Sequence, residues 1–268
     1  MPELPEVETI RIELIPHVLG RQFTGMTIYD PKLVSQPAAE EFRARLIGQT
    51  INGLNRRGKF FIFHLSSNEV LIMHLRMTGA LLMNPQQIDR YTRAAFELDN
   101  TNKLIFSDRR RLGRVWLAEN DRTINDKLGP EPLSDDFTVD VLSQRLKGRQ
   151  APIKAVLLDQ TFIAGIGNMY ADEALFSARI HPMTRAGSLS YSKIKALHSA
   201  IVSVLRAAIS SGGASVDTYK RPGGESGTAY FGFKVAHRLG EPCPVCGTKI
   251  ERLMIRNRGS YLCPFCQK

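Results

Sequence analysis

Two Cys-x-x-Cys pairs, Cys243-Pro-Val-Cys246 and Cys263-Pro-Phe-Cys266, stand near the C-terminus with sixteen residues between them, and the chain has no other cysteine. Knuckles paired at this separation close a tetrahedral site of four thiolates, and a metal ion held by four protein ligands has no open position for substrate. One structural Zn2+ is therefore the expected cofactor, and a disulfide framework spread over the chain is excluded. The KIERLMI and SYLC runs between the knuckles predict a hairpin whose tip is Arg256-Asn257-Arg258-Gly259. Two uses fit two arginines there: a solvated turn, or an offer of positive charge to a nucleic-acid backbone.

Upstream the pattern changes twice. Val7, Ile10 and Leu14 recur at helical spacing between Pro5, suited to a first turn, and Gly20, a stop, which predicts a helix from Pro5 to about Leu19. Short β-type runs follow at 22–29, 50–54, 59–65, 70–75, 94–98, 103–107 and 114–118, separated by turn clusters such as SSNE and DNTN. That density predicts a sandwich or barrel capped by the first helix. From LGPEPLSDDF onward helical periodicity takes over, with Ser134 as the expected opening of a helix. Ile194, Leu197, Ile201, Val204, Leu205 and Ile209 share one face of a last helix, which begins at Ser190 and stops at Gly212-Gly213. The polar, glycine-rich DTYKRPGGESGTAYFG reads as a mobile loop. The expected organisation is α+β and multidomain: a helix-capped β-sandwich over 1–130, a helical domain with the loop over 131–234, and the metal hairpin over 235–268.

The net charge of +10 attracts polyanions, without naming one. No stretch approaches a membrane span, and MPELPEVETI is acidic where a signal peptide is basic, so a cytoplasmic location without membrane is expected. Met1 precedes a small residue, so trimming would start the chain at Pro2. A terminal amine titrates near 7.7–8.0, well below lysine, and an unprotonated secondary amine adds readily to a sugar carbon. Glu3 and Glu6 beside it are candidate proton carriers. The same residues also suit an ordinary helix start.

PELPEVET at the N-terminus, RRGKF at 56–60, HLRMTG at 74–79, GIGNMYADEAL at 165–175 and the four-cysteine hairpin occur together and in order. Over its whole length the chain thereby resembles the formamidopyrimidine-DNA glycosylase family of bacterial repair enzymes. The resemblance implies a helix-capped β-sandwich, a helical domain with a helix–two-turn–helix motif and a zinc-finger hairpin, acting as a monomer on double-stranded DNA that carries oxidised bases, with no obligate protein partner. It implies a base-excision DNA glycosylase and abasic-site lyase that removes oxidised purines and cuts the strand by β,δ-elimination. By resemblance Pro2 is the nucleophile, Glu3 the general acid and base, Lys59 the lysine associated with β-elimination, and Arg258 the hairpin arginine on the lesion phosphate. Asn168 and Lys154 are implied backbone contacts, with Gly165 and Gly167 letting N–H groups approach a phosphate. Met77 would wedge into the stack, and Arg110 would bond the orphaned cytosine. Arg93, Arg149 and His74 match phosphate-contact positions, and a core methionine or a structural histidine remains an alternative for Met77 or His74.

Two departures bear on specificity. Leu112 stands where the family often has phenylalanine, so it fills space but cannot stack on a base, and KVAHRLGEPC and the 217–233 loop differ from the usual pattern. A sister glycosylase for oxidised pyrimidines shares the terminal proline and the zinc hairpin; ELPEVE and the Arg110 segment favour the purine branch. A zinc-ribbon DNA-binding protein without catalysis is the alternative of another class, whereas a single-strand RNA module would need an aromatic stacking motif.

Overall fold

The structure, a computed structural model, describes residues 1–268 and divides into two compact units. The first comprises Met1–Asp126 with Ser211–Tyr230, the second Lys127–Ser210 with Phe231–Lys268. No helix is long and apolar enough to cross a membrane.

The first unit opens with α1 (Leu4–Val18), followed by β1 (Phe23–Ile28), β2 (Val34–Gln36) and α2 (Ala39–Leu46). Then come β3 (Ile51–Arg57), β4 (Phe60–Leu65), β5 (Val70–His74), β6 (Gly79–Met83), β7 (Thr92–Leu98), β8 (Lys103–Asp108), β9 (Arg114–Ala118) and the short α3 (Arg122–Asn125). Two sheets result, one ordered β1-β7-β8-β6 and the other β2-β9-β5-β4-β3. Alternation explains how they share a core. Phe61, Phe63 and Leu65 of β4 and Leu71 and Met73 of β5 enter the same cluster as Phe96, Leu104 and Phe106 of the other sheet. Val7, Ile10, Leu14 and Val18 of α1 complete it, so the expected helix-capped sandwich is present. Phe61 and Phe63 have no exposed surface, and each contributes about 1.5–3 kcal/mol of burial. β6 and α2 were not anticipated by the sequence pattern; both are short and join this core through Leu81, Phe42 and Leu46.

The second unit holds α4 (Val139–Leu146), α5 (Ile153–Leu157), α6 (Asn168–Ser177) and α7 (Tyr191–Ser210), then the hairpin of β10 (Glu251–Ile255) and β11 (Arg258–Leu262). The helix expected to open at Ser134 begins instead after Thr138, whose hydroxyl accepts the Val141 N–H; Ser134 caps a preceding turn through the Asp136 N–H. α7 follows Ser190, as periodicity indicates, and buries Ile194, Leu197, Ile201 and Leu205.

The glycine-rich segment after α7 belongs with the first unit. The Ala214 N–H donates to Glu6, the Arg221 guanidinium grips Glu13 of α1 with its Nε at 2.7 Å, and the Met83 N–H donates to the Pro222 carbonyl at 2.8 Å. Polar side chains of α1, invisible to a hydrophobic pattern, therefore decide where this segment docks.

Candidate active site and nucleic-acid interface

In the first unit Pro2 and Glu3 are buried and Met1 is exposed. Glu3 is the N-cap of α1, in an extended conformation that ends the helix sharply. Its N–H donates to one oxygen of Glu6 at 2.8 Å, and the other Glu6 oxygen accepts the Ala214 N–H, also at 2.8 Å. Glu6 has no exposed surface, so a proton-carrying role gives way to a structural one: both its oxygens are occupied in fixing Glu3 against the returning segment. Gly213 permits that approach. A Cβ there would stand 3.1 Å from Glu6 Cγ and 3.0 Å from the Tyr219 ring, at a φ of +76°.

Lys59 sits in the β3–β4 turn and is buried. β4 and β5 pair Phe60 with His74, and their rings lie 4.5 Å apart, which brings Lys59 and His74 to one end of this sheet. Burial, then the charges of Arg76 and Lys59, push His74 down to about 3, so its imidazole is neutral at physiological pH. Its Nδ1 accepts the Arg76 N–H at 3.0 Å. The Nε2 then carries the proton and can donate to a phosphate oxygen without a charge.

Met77 is half-buried in the loop from Leu75 to Gly79, and Arg110 and Leu112 are exposed in the loop after β8. Arg93 is partly held, its Nε donating to the Asp108 carbonyl at 2.8 Å. Arg111 between the two exposed residues turns onto Asp30 with bonds of 2.6 and 2.9 Å. That guanidinium holds the Asp30 carboxyl below its ordinary range.

In the second unit the two-turn segment after α5 is folded by Gln160, which accepts the Gly165 N–H at 2.9 Å and donates to the Ile166 carbonyl at 2.7 Å. α6 then starts at Asn168, with Gly167 as its N-cap in an extended conformation. Asn168 Nδ2 donates to the Gly259 carbonyl at 2.9 Å, and its Oδ1 is buried without a partner. Lys154 departs from expectation: it is fully buried, its ammonium bonded to Asp172 and to the Asn168 carbonyl. As placed it braces the start of α6 from beneath and offers no charge at the surface. Burial outweighs that ammonium and pushes the Asp172 carboxyl up to about 7. Glu173 accepts the N–H groups of Lys234, Val235 and Ala236, which ties the stretch before the hairpin to α6. Arg149 is exposed, 5.6 Å from the Phe162 ring centre.

The four cysteine sulfurs all lie within 4.8 Å of one another, with Cys243–Cys266 at 3.9 Å and Cys246–Cys263 at 3.4 Å. Tetrahedral bonds of about 2.3 Å place sulfurs about 3.8 Å apart, so the set fits one zinc and is too wide for disulfides. The N–H of Val245 faces Cys243 Sγ and that of Cys266 faces Cys263 Sγ, as knuckles require. The ion is structural: Phe176, Val235 and Ile250 pack around the knuckles, and its four ligands leave no open position. Arg256 and Asn257 form the two-residue turn at φ of 46° and 58°, so Arg258 is the first residue of β11, opposite Ile255, and its side chain is exposed. The tie from Asn168 to Gly259 fixes the residue next to Arg258.

Comparison with known proteins agrees along the chain. Residues 1–115 match the sequence model of the formamidopyrimidine-DNA glycosylase N-terminal domain, residues 128–220 that of its H2TH domain, and residues 240–268 that of a zinc finger found in FPG and IleRS. A formamidopyrimidine-DNA glycosylase of Chloroflexus aurantiacus is 45% identical over 272 residues, covering 100% of this chain and 98% of the relative. A Lactococcus lactis FPG variant, solved with Fapy-dG-containing DNA, superposes with a TM-score of 0.93 at 34% identity, covering 100% of both chains. A MutM solved with DNA containing carbocyclic 8-oxo-G gives 0.92 at 35% identity, again over 100% of both.

Proposed function

The chain belongs to the formamidopyrimidine-DNA glycosylase family, a base-excision repair glycosylase acting on damaged bases in DNA, and from that premise we propose how its residues divide the work. The substrate is duplex DNA carrying oxidised purines such as 8-oxoguanine and formamidopyrimidines, met in the cytoplasm. Asn168 and Arg258, with Arg93, Arg149 and neutral His74, grip phosphates, while Lys154 supports Asn168 from within. Met77 fills the space left by the extruded base, and Arg110 bonds the orphaned cytosine beside Leu112.

With Met1 removed, the Pro2 nitrogen attacks C1′. The glycosidic electron pair leaves with the base, and Glu3 supplies and takes up the proton as the sugar ring opens to an iminium. This cation acidifies the C2′ proton. Its removal, to which Lys59 contributes, expels the 3′-phosphate, and a second elimination, assisted by Arg258, expels the 5′-phosphate. Water then hydrolyses the iminium and restores Pro2. In each elimination the electron pair of the broken C–H bond, at C2′ and then at C4′, passes through the iminium system and leaves with the phosphate, so every step balances without an oxidant or reductant. The zinc only holds the hairpin that presents Arg258.

The observation that carries this reading is the buried Pro2-Glu3 pair, anchored by a Glu6 carboxylate with no exposed surface. Borohydride trapping on an 8-oxoguanine duplex tests it. The adduct maps to Pro2, weakens in Pro2→Gly, which keeps a terminal amine, and disappears when the N-terminus is extended. A parallel oxidised-pyrimidine duplex measures the branch preference. An adduct on Lys59 would overturn the assignment of the nucleophile.

A further inference from the structure

The loop carrying Met77 and the loop carrying Arg110 and Leu112 meet on one carboxylate. Asp108, the last residue of β8, has no exposed surface. Its Oδ1 accepts the Thr78 hydroxyl at 2.5 Å and the Arg110 N–H at 3.0 Å. Its Oδ2 accepts the N–H groups of Leu112 and Gly113, both at 2.7 Å. Thr78, the neighbour of Met77, also accepts the Arg110 N–H at 3.0 Å, closing a ring of hydrogen bonds between the loops. The backbone of Asp108 is fixed as well: its N–H donates to the Tyr91 carbonyl at 2.8 Å, and its carbonyl accepts Arg93 Nε at 2.8 Å. There is no slack on the far side. A Cβ at Gly113 would stand 2.6 Å from the Phe106 ring and 3.1 Å from Asp108 Oδ2.

We propose that Asp108 is a positioning residue that sets the wedge and the orphan-base reader as one body, so that discrimination of the opposite base depends on this carboxylate. The proposal rests on the reading of Met77, Arg110 and Leu112 given above. Each of the four donors comes from a residue whose own side chain, or whose neighbour's, is assigned to the opened duplex, with Gly113 closing the turn. A carboxylate accepts all four at once. An asparagine would turn an N–H₂ toward two of them, leaving buried donors facing donors. The loops would then move independently, and the energy of reading cytosine would no longer be tied to insertion of the wedge.

The test uses the full-length enzyme under single-turnover conditions with three duplexes: 8-oxoguanine opposite cytosine, 8-oxoguanine opposite adenine, and a preformed abasic site opposite cytosine. For Asp108→Asn, excision opposite cytosine falls about 10- to 100-fold, the loss expected for buried hydrogen bonds to a charged group. The preference for cytosine over adenine narrows about tenfold. Cutting at the abasic site, where no base has to be unstacked, falls less than about threefold. Thr78→Val removes both bonds that cross from the wedge loop, to Asp108 and from the Arg110 N–H, while Asp108 keeps Arg110, Leu112 and Gly113. It slows excision opposite cytosine about fivefold and narrows the preference for cytosine about threefold, with abasic cutting within about twofold, and it carries the test should Asp108→Asn not fold. The inference is overturned if Asp108→Asn lowers all three rates by one factor, the mark of a merely weakened fold, or if Thr78→Val excises like the parent. Met77→Ala and Arg110→Ala run alongside. If these two are without effect, the reading of the loops fails and the inference with it; if they are strong while Asp108→Asn shifts no preference, only the role of Asp108 is refuted.

Discussion

Replacing Glu6 separates the chemistry of the N-terminus from simple stability. The carboxylate accepts two buried N–H groups at 2.8 Å, one from Glu3 and one from Ala214. Glu6→Gln keeps one acceptor and turns an amide toward the other donor. An unsatisfied buried donor costs about 1–3 kcal/mol, and Glu6→Ala, which abandons both, costs about twice that. The cost falls where Pro2 and Glu3 are held. If it is spent in loosening that end rather than in unfolding, 1–3 kcal/mol corresponds to a rate lower by about 5- to 150-fold at the attacking nitrogen. The assay is the rate of borohydride-trapped adduct on a preformed abasic duplex at saturating enzyme, together with duplex affinity. The trapping rate falls in Glu6→Gln while affinity stays within about twofold, because the phosphate grips are built from other residues. A Glu6→Gln enzyme that traps and melts like the parent would refute the reasoning, since buried donors at 2.8 Å cannot lose their acceptor without consequence.

Three further outcomes follow from the geometry. His74 has its pKa depressed in the folded state to about 3, against an ordinary value of 6.5, so the unfolded chain takes the proton first. Its contribution is complete above about pH 6.5 and is lost as pH falls toward 3, by up to about 1.4 kcal/mol per pH unit. Urea unfolding between pH 7 and 5 shows a shallower pH slope in His74→Asn, whose amide oxygen keeps the Arg76 bond, and an unchanged slope would contradict the burial of a neutral ring. Atomic absorption finds one zinc per chain in the parent and a deficit in Cys246→Ser, with duplex binding weakened and, in the parent, chelator-induced loss restored by added zinc; retained binding without metal would show that the hairpin holds itself. Duplex affinity falls about 10³- to 10⁵-fold between 50 and 200 mM salt if about 6–10 phosphates are engaged, and Arg258→Ala lowers the logarithmic slope by about one. An unchanged slope would remove Arg258 from the phosphate grip.

What the sequence made legible divides along physical lines. The cysteine spacing specified its own geometry because four ligands around one ion leave little freedom. α1 and most strands were readable because Val7, Ile10 and Leu14, or Phe61 and Phe63, repeat with the period of the element that buries them. β6 escaped because GALLM is uniformly apolar and shows no alternation, and α2 because only Phe42 and Leu46 of its eight residues are buried. Within the site, residue types with distinctive chemistry stood out: a proline next to the start, or arginines at a glycine-bent tip. The residues that position them did not. Asp108 and Glu173 bind backbone N–H groups, which carry no residue-type signature and converge only after the turn has formed. An acidic residue closing a strand before RRRLG was the one available signal for Asp108. Lys154 looked like a surface cation because nothing in IKAVL announces that Asp172 will enclose it.

The bond from Ala214 to Glu6 joins residues 208 positions apart in the chain. At about 5–20 residues per second of synthesis, the start of α1 waits roughly 10–40 s on the ribosome before its last acceptor finds a donor. During that interval the sandwich lacks the segment that closes over its first helix. The first helix is then closed over late, an order imposed by placing the final piece of the first unit beyond most of the second.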